Sequence, residues 1–329
     1  MEVGLALELP RIDLSAFLSP DATDYDKTLT VKAWDDALST FGFVAITGHG
    51  LDQKVMDELQ QQARAFFAQG IEEKLRCKLH GEYGNGGYSQ PGIESTARSQ
   101  GDAEAPPDLV ETFEVRGEGN VMQFATDESK LPHPAFVAGM RAYYSAAERL
   151  NMDILRLSAL ALGLEERFFE PYHRPIQMDL RLAHYPFPAV PPGPKQQGYG
   201  AHVDYLGMTL LCADSEIGGL QVRLPGAQVW RPINPIPGAL IVNSGALTGA
   251  WTNGRWPAVW HRVLPPAMQT HPVHDGRLSI VMFSGPSYGS TVECIPTCIG
   301  EGAKHGPIHV GEFFQEQLRR TLVSNSGAE

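Results

Sequence analysis

The chain has 329 residues, enough for one large domain or two ordinary ones, and 43% hydrophobic with 19% charged residues is ordinary globular composition, which excludes disorder as the main state. A formal net charge of −12 argues against a sequence-independent grip on nucleic acid, which needs a Lys/Arg surface. The same charge makes anionic membrane surfaces poor partners.

The first residues carry no basic region ahead of their short apolar stretch and no small-residue cleavage pattern after it, so no signal peptide is expected. No window approaches the roughly 18 apolar residues of a membrane span. Leu9 to Leu14 reads as a short strand and Thr30 to Leu38 as a helix. Phe41 to Ile46 is a β-rich run ending in the turn Thr47-Gly48-His49-Gly50, whose histidine reads as structural. Asp52 suits the N-cap of a helix that sets Val55, Leu59, Ala63 and Phe66 on one face. Glu82 to Pro107 is weakly patterned and rich in turn formers, a long loop of the kind used as a lid or binding loop. Within it, Gly84-Asn85-Gly86-Gly87 lacks the following Lys-Ser/Thr of a phosphate cradle. Glu111 to Val115 alternates like a strand. The clearest helix starts near His133: Phe136, Met140, Tyr143, Ala147, Leu150, Ile154, Leu157 and Ala161 step by four and three, and Gly163 stops it.

After Gln177 the texture changes to short apolar runs separated by Gly/Pro turns: Leu180 to Tyr185, Met208 to Cys212, Leu220 to Val222, Ala239 to Val242 and Leu278 to Phe283. That is the pattern of an antiparallel sandwich or barrel. A last helix, Val310 to Leu322, aligns Phe313, Phe314, Leu318 and Leu322. The expected division is a helical and mixed region over 1–176, a β core over 177–300, and a helix and tail over 301–329. Four cysteines are too few for a disulfide framework and point to a reducing cytoplasmic setting.

His202-Val203-Asp204 places two ligand-type side chains at i and i+2, on one face of a strand. Trp260-His261-Arg262-Val263 offers a third from another β-type run. Two imidazoles and one carboxylate leave three open positions on an octahedral ion, the arrangement of non-haem iron(II) oxygenases. Arg277-Leu278-Ser279 repeats the i, i+2 device with a guanidinium and a hydroxyl, a socket for a carboxylate. Taken singly, His-x-Asp also describes a surface turn, and Arg277 a strand-edge residue in a surface salt bridge. Cys294, Cys298, His305 and His309 loosely imitate zinc spacing but fit no common finger. His184, one residue before Tyr185, is sent by the strand period to the opposite face, the outside of a barrel.

The order His202-x-Asp204, His261, Arg277-x-Ser279 resembles the isopenicillin N synthase-like iron(II)/2-oxoglutarate oxygenases. The likeness extends through Phe41-Gly42-Phe43 to Gly50, Leu180-Arg181-Leu182-Ala183-His184-Tyr185-Pro186, Gly218-Gly219-Leu220-Gln221-Val222, Pro237 to Asn243 and Trp251 to Arg255, in order and over nearly the whole chain. Ala183 and His184 stand where the family has Asn and Tyr, and Gly245-Ala246 where it has Gly-Asp. The resemblance implies a mixed α/β fold with a mainly β core, a double-stranded β-helix (jelly roll) flanked by N-terminal helices and a C-terminal helix. It implies iron(II) on His202, Asp204 and His261. It also implies 2-oxoglutarate on Arg277, Ser279 and the Tyr185 hydroxyl, with O2 as the further reactant. Some members use the Arg-x-Ser pair for a substrate carboxylate without 2-oxoglutarate, so the pair alone implies a carboxylate. A zinc hydrolase on the same triad would leave the socket without a task.

The implied substrate is a small molecule, of the natural-product or secondary-metabolite kind, oxidised at an unactivated C–H by hydroxylation, desaturation or cyclisation. No protein partner is evident. Tyr88, Phe113, Tyr205, Leu206, Phe283 and Phe313 are the candidate walls, and their apolar, aromatic character favours a hydrophobic or aromatic substrate.

Overall fold

The computed structural model describes residues 3–78, 86–118, 121–267 and 275–325. The chain opens with β1 (Arg11–Asp13), a single turn α1 (Ser15–Leu18), α2 (Asp24–Phe41) and β2 (Phe43–Thr47). The Thr23 hydroxyl accepts from the Asp26 amide to cap α2, and Gly42, at φ 62°, ends it in the left-handed region where a side chain would be strained. α3 (Gln53–Phe67) starts at Asp52, whose carboxylate accepts from the Lys54 amide as expected. α4 (Ile71–Arg76), β3 (Gly87–Ser89), α5 (Thr96–Ser99), β4 (Glu111–Glu118) and β5 (Val121–Gln123) follow. The described part of the expected long loop is mostly irregular and carries just the short β3 and α5, while Gly84 and Asn85 lie outside the described residues. α6 (Pro134–Ala161) begins where His133 accepts from the Ala135 amide and Pro134 supplies its preset φ.

From β6 (Gln177–Pro186) the chain is mostly strand: β7 (Tyr199–His202), β8 (Met208–Cys212), β9 (Leu220–Arg223), β10 (Arg231–Pro232), β11 (Leu240–Ser244), the short α7 (Ala246–Trp251), β12 (Trp260–Val263) and β13 (Gly276–Gly285). A small hairpin of β14 (Thr291–Val292) and β15 (Ile308–His309) leads into α8 (Val310–Asn325). Phe313 and Phe314 pack against the main core; the side chains of Leu318 and Leu322 lie outside the described residues.

The strands form a larger sheet, β1-β2-β11-β8-β13-β6-β4-β3 with β5 on β4, and a smaller one, β10-β9-β12-β7. Together they make the jelly-roll core. Strand alternation gives the larger sheet two unlike faces. Met178, Leu180 and Leu182 of β6 and Leu278, Ile280 and Met282 of β13 point toward the helices, where they join Phe66, Phe136 and Met140 in one apolar core. The alternate residues, Arg181, Ala183, Tyr185, Arg277, Ser279, Val281 and Phe283, line a cavity between the sheets. The expected division at residue 176 falls just ahead of β6, and β1 to β5, from before it, all add to the larger sheet. Among the described residues no helix is long and apolar enough to cross a membrane.

Candidate active site

β7 and β12 of the smaller sheet pair with His261 opposite His202, which sets their rings 4.1 Å apart between centroids. Asp204 follows β7 directly. Its Oδ1 lies 3.5 Å from His202 Nε2 and 3.6 Å from His261 Nε2. Each imidazole is oriented from behind: His202 Nδ1 is 2.8 Å from the Gly200 carbonyl and His261 Nδ1 is 3.1 Å from that of Val259. With Nδ1 donating there, each Nε2 keeps its lone pair for the centre of the cluster. The larger sheet completes the arrangement. Thr209 Oγ1 of β8 and Asn243 Nδ2 of β11 donate to Asp204 Oδ2 at 2.6 and 2.7 Å, which leaves Oδ1 as the inward oxygen.

All three side chains are buried. Burial, reinforced by His202, pushes His261 down to about 4, so near neutral pH it is the neutral form that binds metals. Burial alone would raise Asp204, but the two imidazoles and the Thr209 hydroxyl hold its carboxyl well below the usual carboxylate range. Among the described residues this is the one group of three or more His, Cys, Asp or Glu side chains whose donor atoms converge, all within 4.8 Å of one another. Cys294, Cys298, His305 and His309 do not form a second. An N2O donor set of this kind suits a divalent transition metal with open positions.

Across the cavity, on β13, Arg277 is 2% exposed. Its Nη1 donates to Ser279 Oγ at 2.5 Å, and its guanidinium lies 5.0 Å over the Tyr185 ring. Its Nε has no partner among the described residues; Tyr185 interacts with the guanidinium, and the carboxylate that acts on it, Asp214, is paired with Arg64. Burial pushes the guanidinium pKa down, the signature of a buried cation short of counter-charge. Arg277, Ser279, Tyr185 and the three candidate ligands line one cavity of about 60 Å³.

The expected substrate walls divide. Phe283 lines the cavity. Tyr88 and Phe113 do not: they are register partners on the helix-facing side of the larger sheet. Tyr88 donates to Glu111 Oε2 at 2.7 Å, and Phe113 packs between Phe66 and Phe136. Leu206 is buried against Gly285 and Gly245, and Tyr205 and Phe313 pack on the main core. Beside the apolar Leu211, Leu220, Val281 and Phe283 the cavity presents Arg181, whose Nη1 and Nη2 donate to Glu114 at 2.7 Å and Glu94 at 2.6 Å, with the Tyr199 ring 4.8 Å below. The cavity wall is thus part apolar and part polar, and of the six expected substrate walls Phe283 is the one that lines it. Arg181 has a readable signal, since it shares strand parity with Tyr185; its glutamates, 67 and 87 residues away, have none. Sequence reasoning likewise misses Asn243 and Thr209 as partners of Asp204. His184 does face away from the cavity, stacked on Phe67 and bonded to Glu111 and Asp275. His49 accepts from the Leu51 amide, a local turn contact.

Residues 9–134 match the family described as non-haem dioxygenase in morphine synthesis, N-terminal, and residues 177–286 match the 2OG-Fe(II) oxygenase superfamily. The chain is 32% identical to a proline hydroxylase of Petromyces alliaceus over 333 residues, covering 96% of this chain and 100% of that one. It is 31% identical to a 2-oxoglutarate-Fe(II) type oxidoreductase of Aspergillus fumigatus, covering 95% and 93%. The crystal structure of a full-length Neurospora crassa protein in complex with alpha-KG and thymine superposes with a TM-score of 0.79 at 28% identity, over 96% of this chain and 98% of that one.

Proposed function

This chain belongs to the iron(II)- and 2-oxoglutarate-dependent oxygenases, and we propose that His202, Asp204 and His261 ligate its iron while Arg277 and Ser279, over the Tyr185 ring, hold the distal carboxylate of 2-oxoglutarate. One observation carries the assignment: a fully buried, under-compensated guanidinium opens into the same cavity as three converging metal donors. Leaving a charge buried without a partner is strongly unfavourable, and a bound carboxylate removes that cost.

Bound iron supplies O2 activation coupled to the oxidative decarboxylation of 2-oxoglutarate, and with it the oxidation of a C–H bond. The protein's part is positional. Gly200 and Val259 fix the imidazole tautomers, Thr209 and Asn243 restrict Asp204 to one inward oxygen, and Leu211, Leu220, Val281 and Phe283 keep the cavity wall dry. The substrate of this reading is a small, polar, nitrogen-bearing molecule oxidised at an unactivated C–H. Arg181 and Tyr199 on the cavity wall support it, as do relatives named for proline and crystallised with thymine. A reducing, cytoplasmic setting is part of the reading, supported by four cysteines that are all free.

The test is an anaerobic titration of apo-protein with iron(II) and then 2-oxoglutarate, following the weak visible charge-transfer band of the chelate. The band is expected to saturate at one equivalent and to vanish in Asp204→Ala. A band of undiminished strength in Asp204→Ala would sink the triad.

A further inference from the structure

β13 carries the socket residues, yet the segment that holds them is incompletely paired. On one edge it pairs with β6 along its whole length, from Gly276 opposite Pro186 to Gly285 opposite Gln177. On the other edge the ladder to β8 begins only at Ile280, opposite Cys212, because β8 ends there. Among the described residues, 276 to 279, with Arg277 and Ser279 in their midst, have no strand on that side. Backbone groups of Gly276 and Leu278 point to this open edge, and buried backbone groups left without a partner are costly.

Two side chains stand where the missing strand would be. Arg64, on the last turn of α3, donates from Nη1 to the Gly276 carbonyl at 3.0 Å. Its Nη2 donates to Asp214 Oδ2 at 2.7 Å, and the same oxygen accepts from the Leu278 amide at 3.1 Å. Asp214 is itself fixed, since its Oδ1 accepts from the amides of Glu216 and Ile217 at 2.9 and 2.8 Å. The peptide groups immediately before and after Arg277 are thus held by one ion pair that reaches the sheet from a helix.

We infer that Arg64 and Asp214 are positioning residues for 2-oxoglutarate, completing the ladder around Arg277 so that its guanidinium is fixed before the co-substrate arrives. The inference rests on the assignment of Arg277 to the distal carboxylate. Neither residue lines the cavity, so the effect runs through the strand, and preorganisation of this kind should appear in binding.

The experiment measures the 2-oxoglutarate Kd of the iron-loaded enzyme anaerobically, with iron(II) affinity and Tm in parallel, for the wild type, Arg64→Ala, Arg64→Lys and Arg277→Ala. Arg64→Ala is expected to weaken 2-oxoglutarate about tenfold, as loss of an orienting partner typically does. Iron affinity should hold, kcat at saturating co-substrate should change little, and Arg64→Lys should recover part of the loss. An unchanged Kd in Arg64→Ala beside a large loss in Arg277→Ala overturns the inference and leaves the socket standing. Unchanged binding in Arg277→Ala overturns both. A parallel fall in iron and 2-oxoglutarate affinity in Arg64→Ala also overturns it, since the residue would then act on the whole fold.

Discussion

Asp204 offers a metal one oxygen because the other is committed: Thr209 and Asn243 both donate to Oδ2, from two strands of the larger sheet, while Oδ1 faces the imidazoles of the smaller one. A carboxylate free to rotate would spend part of its time turned away or bidentate, closing positions that the co-substrate and O2 need. Asn243→Ala is therefore expected to weaken iron(II) binding roughly tenfold, the usual scale for an orienting neighbour of a ligand, with no change in fold. A chelator-competition titration checks this, and equal iron affinity in the variant would mean that Thr209 holds the carboxylate alone. The candidate ligands are legible in the sequence chiefly through the ordered resemblance of His202-x-Asp204, His261 and Arg277-x-Ser279. The i, i+2 spacing does put Arg277 and Ser279 on one face of β13, whereas Asp204 lies just past the end of β7. Thr209 and Asn243 are not legible, because a side-chain hydrogen bond between strands leaves no mark in spacing.

At the scale of elements, the helix-facing side of the sheet carries its own buried charge cluster. Glu111 on β4 accepts from Lys74 Nζ and the Tyr88 hydroxyl at 2.7 Å each and lies 2.8 Å from His184 Nδ1; His184 Nε2 is 3.2 Å from Asp275. The cluster ties α4, β3, β4, β6 and the start of β13 together beside the socket strand. Burial would lower the His184 pKa, but its bonds to Asp275 and Glu111 raise it above the ordinary 6.5. A raised folded value contributes stability fully below 6.5, and that contribution is lost as pH climbs through the folded value. Urea denaturation of the wild type should accordingly show stability falling from pH 6.5 upward, with a flatter profile in His184→Leu. Parallel profiles for the two proteins would remove His184 as the source. Period two predicts that His184 and Tyr185 face opposite ways. It cannot say which face of β4 is inward, and that is why Tyr88 and Phe113 are expected in the pocket when they pack under α3 and α6.

The whole molecule does not separate where its composition changes. The shift in texture at Gln177 is real, for strands of the core follow it, but the core's larger sheet takes both flanks from earlier in the chain. β2 pairs with β11 from Phe43 opposite Asn243 to Ile46 opposite Leu240, and β4 pairs with β6 from Glu111 opposite His184 to Glu118 opposite Gln177. Removing residues 1–176 would bare both edges and strip Phe66, Phe136 and Met140 from the apolar face of β6 and β13. Exposed edges of long strands with one uncovered apolar face are aggregation sites, and the unmet backbone groups have no alternative partner. It would also delete Arg64, and with it the hold on the socket strand from outside the sheet. A fragment from Gln177 to the C-terminus is thus expected to show no cooperative thermal transition and no stoichiometric iron(II) binding, although it contains every candidate ligand. Circular dichroism melting and metal titration of that fragment decide the matter: a sharp transition with one equivalent of bound iron would show that the β core stands alone and that the N-terminal strands are additions to it, whereas the expected failure would make the site a property of the entire chain.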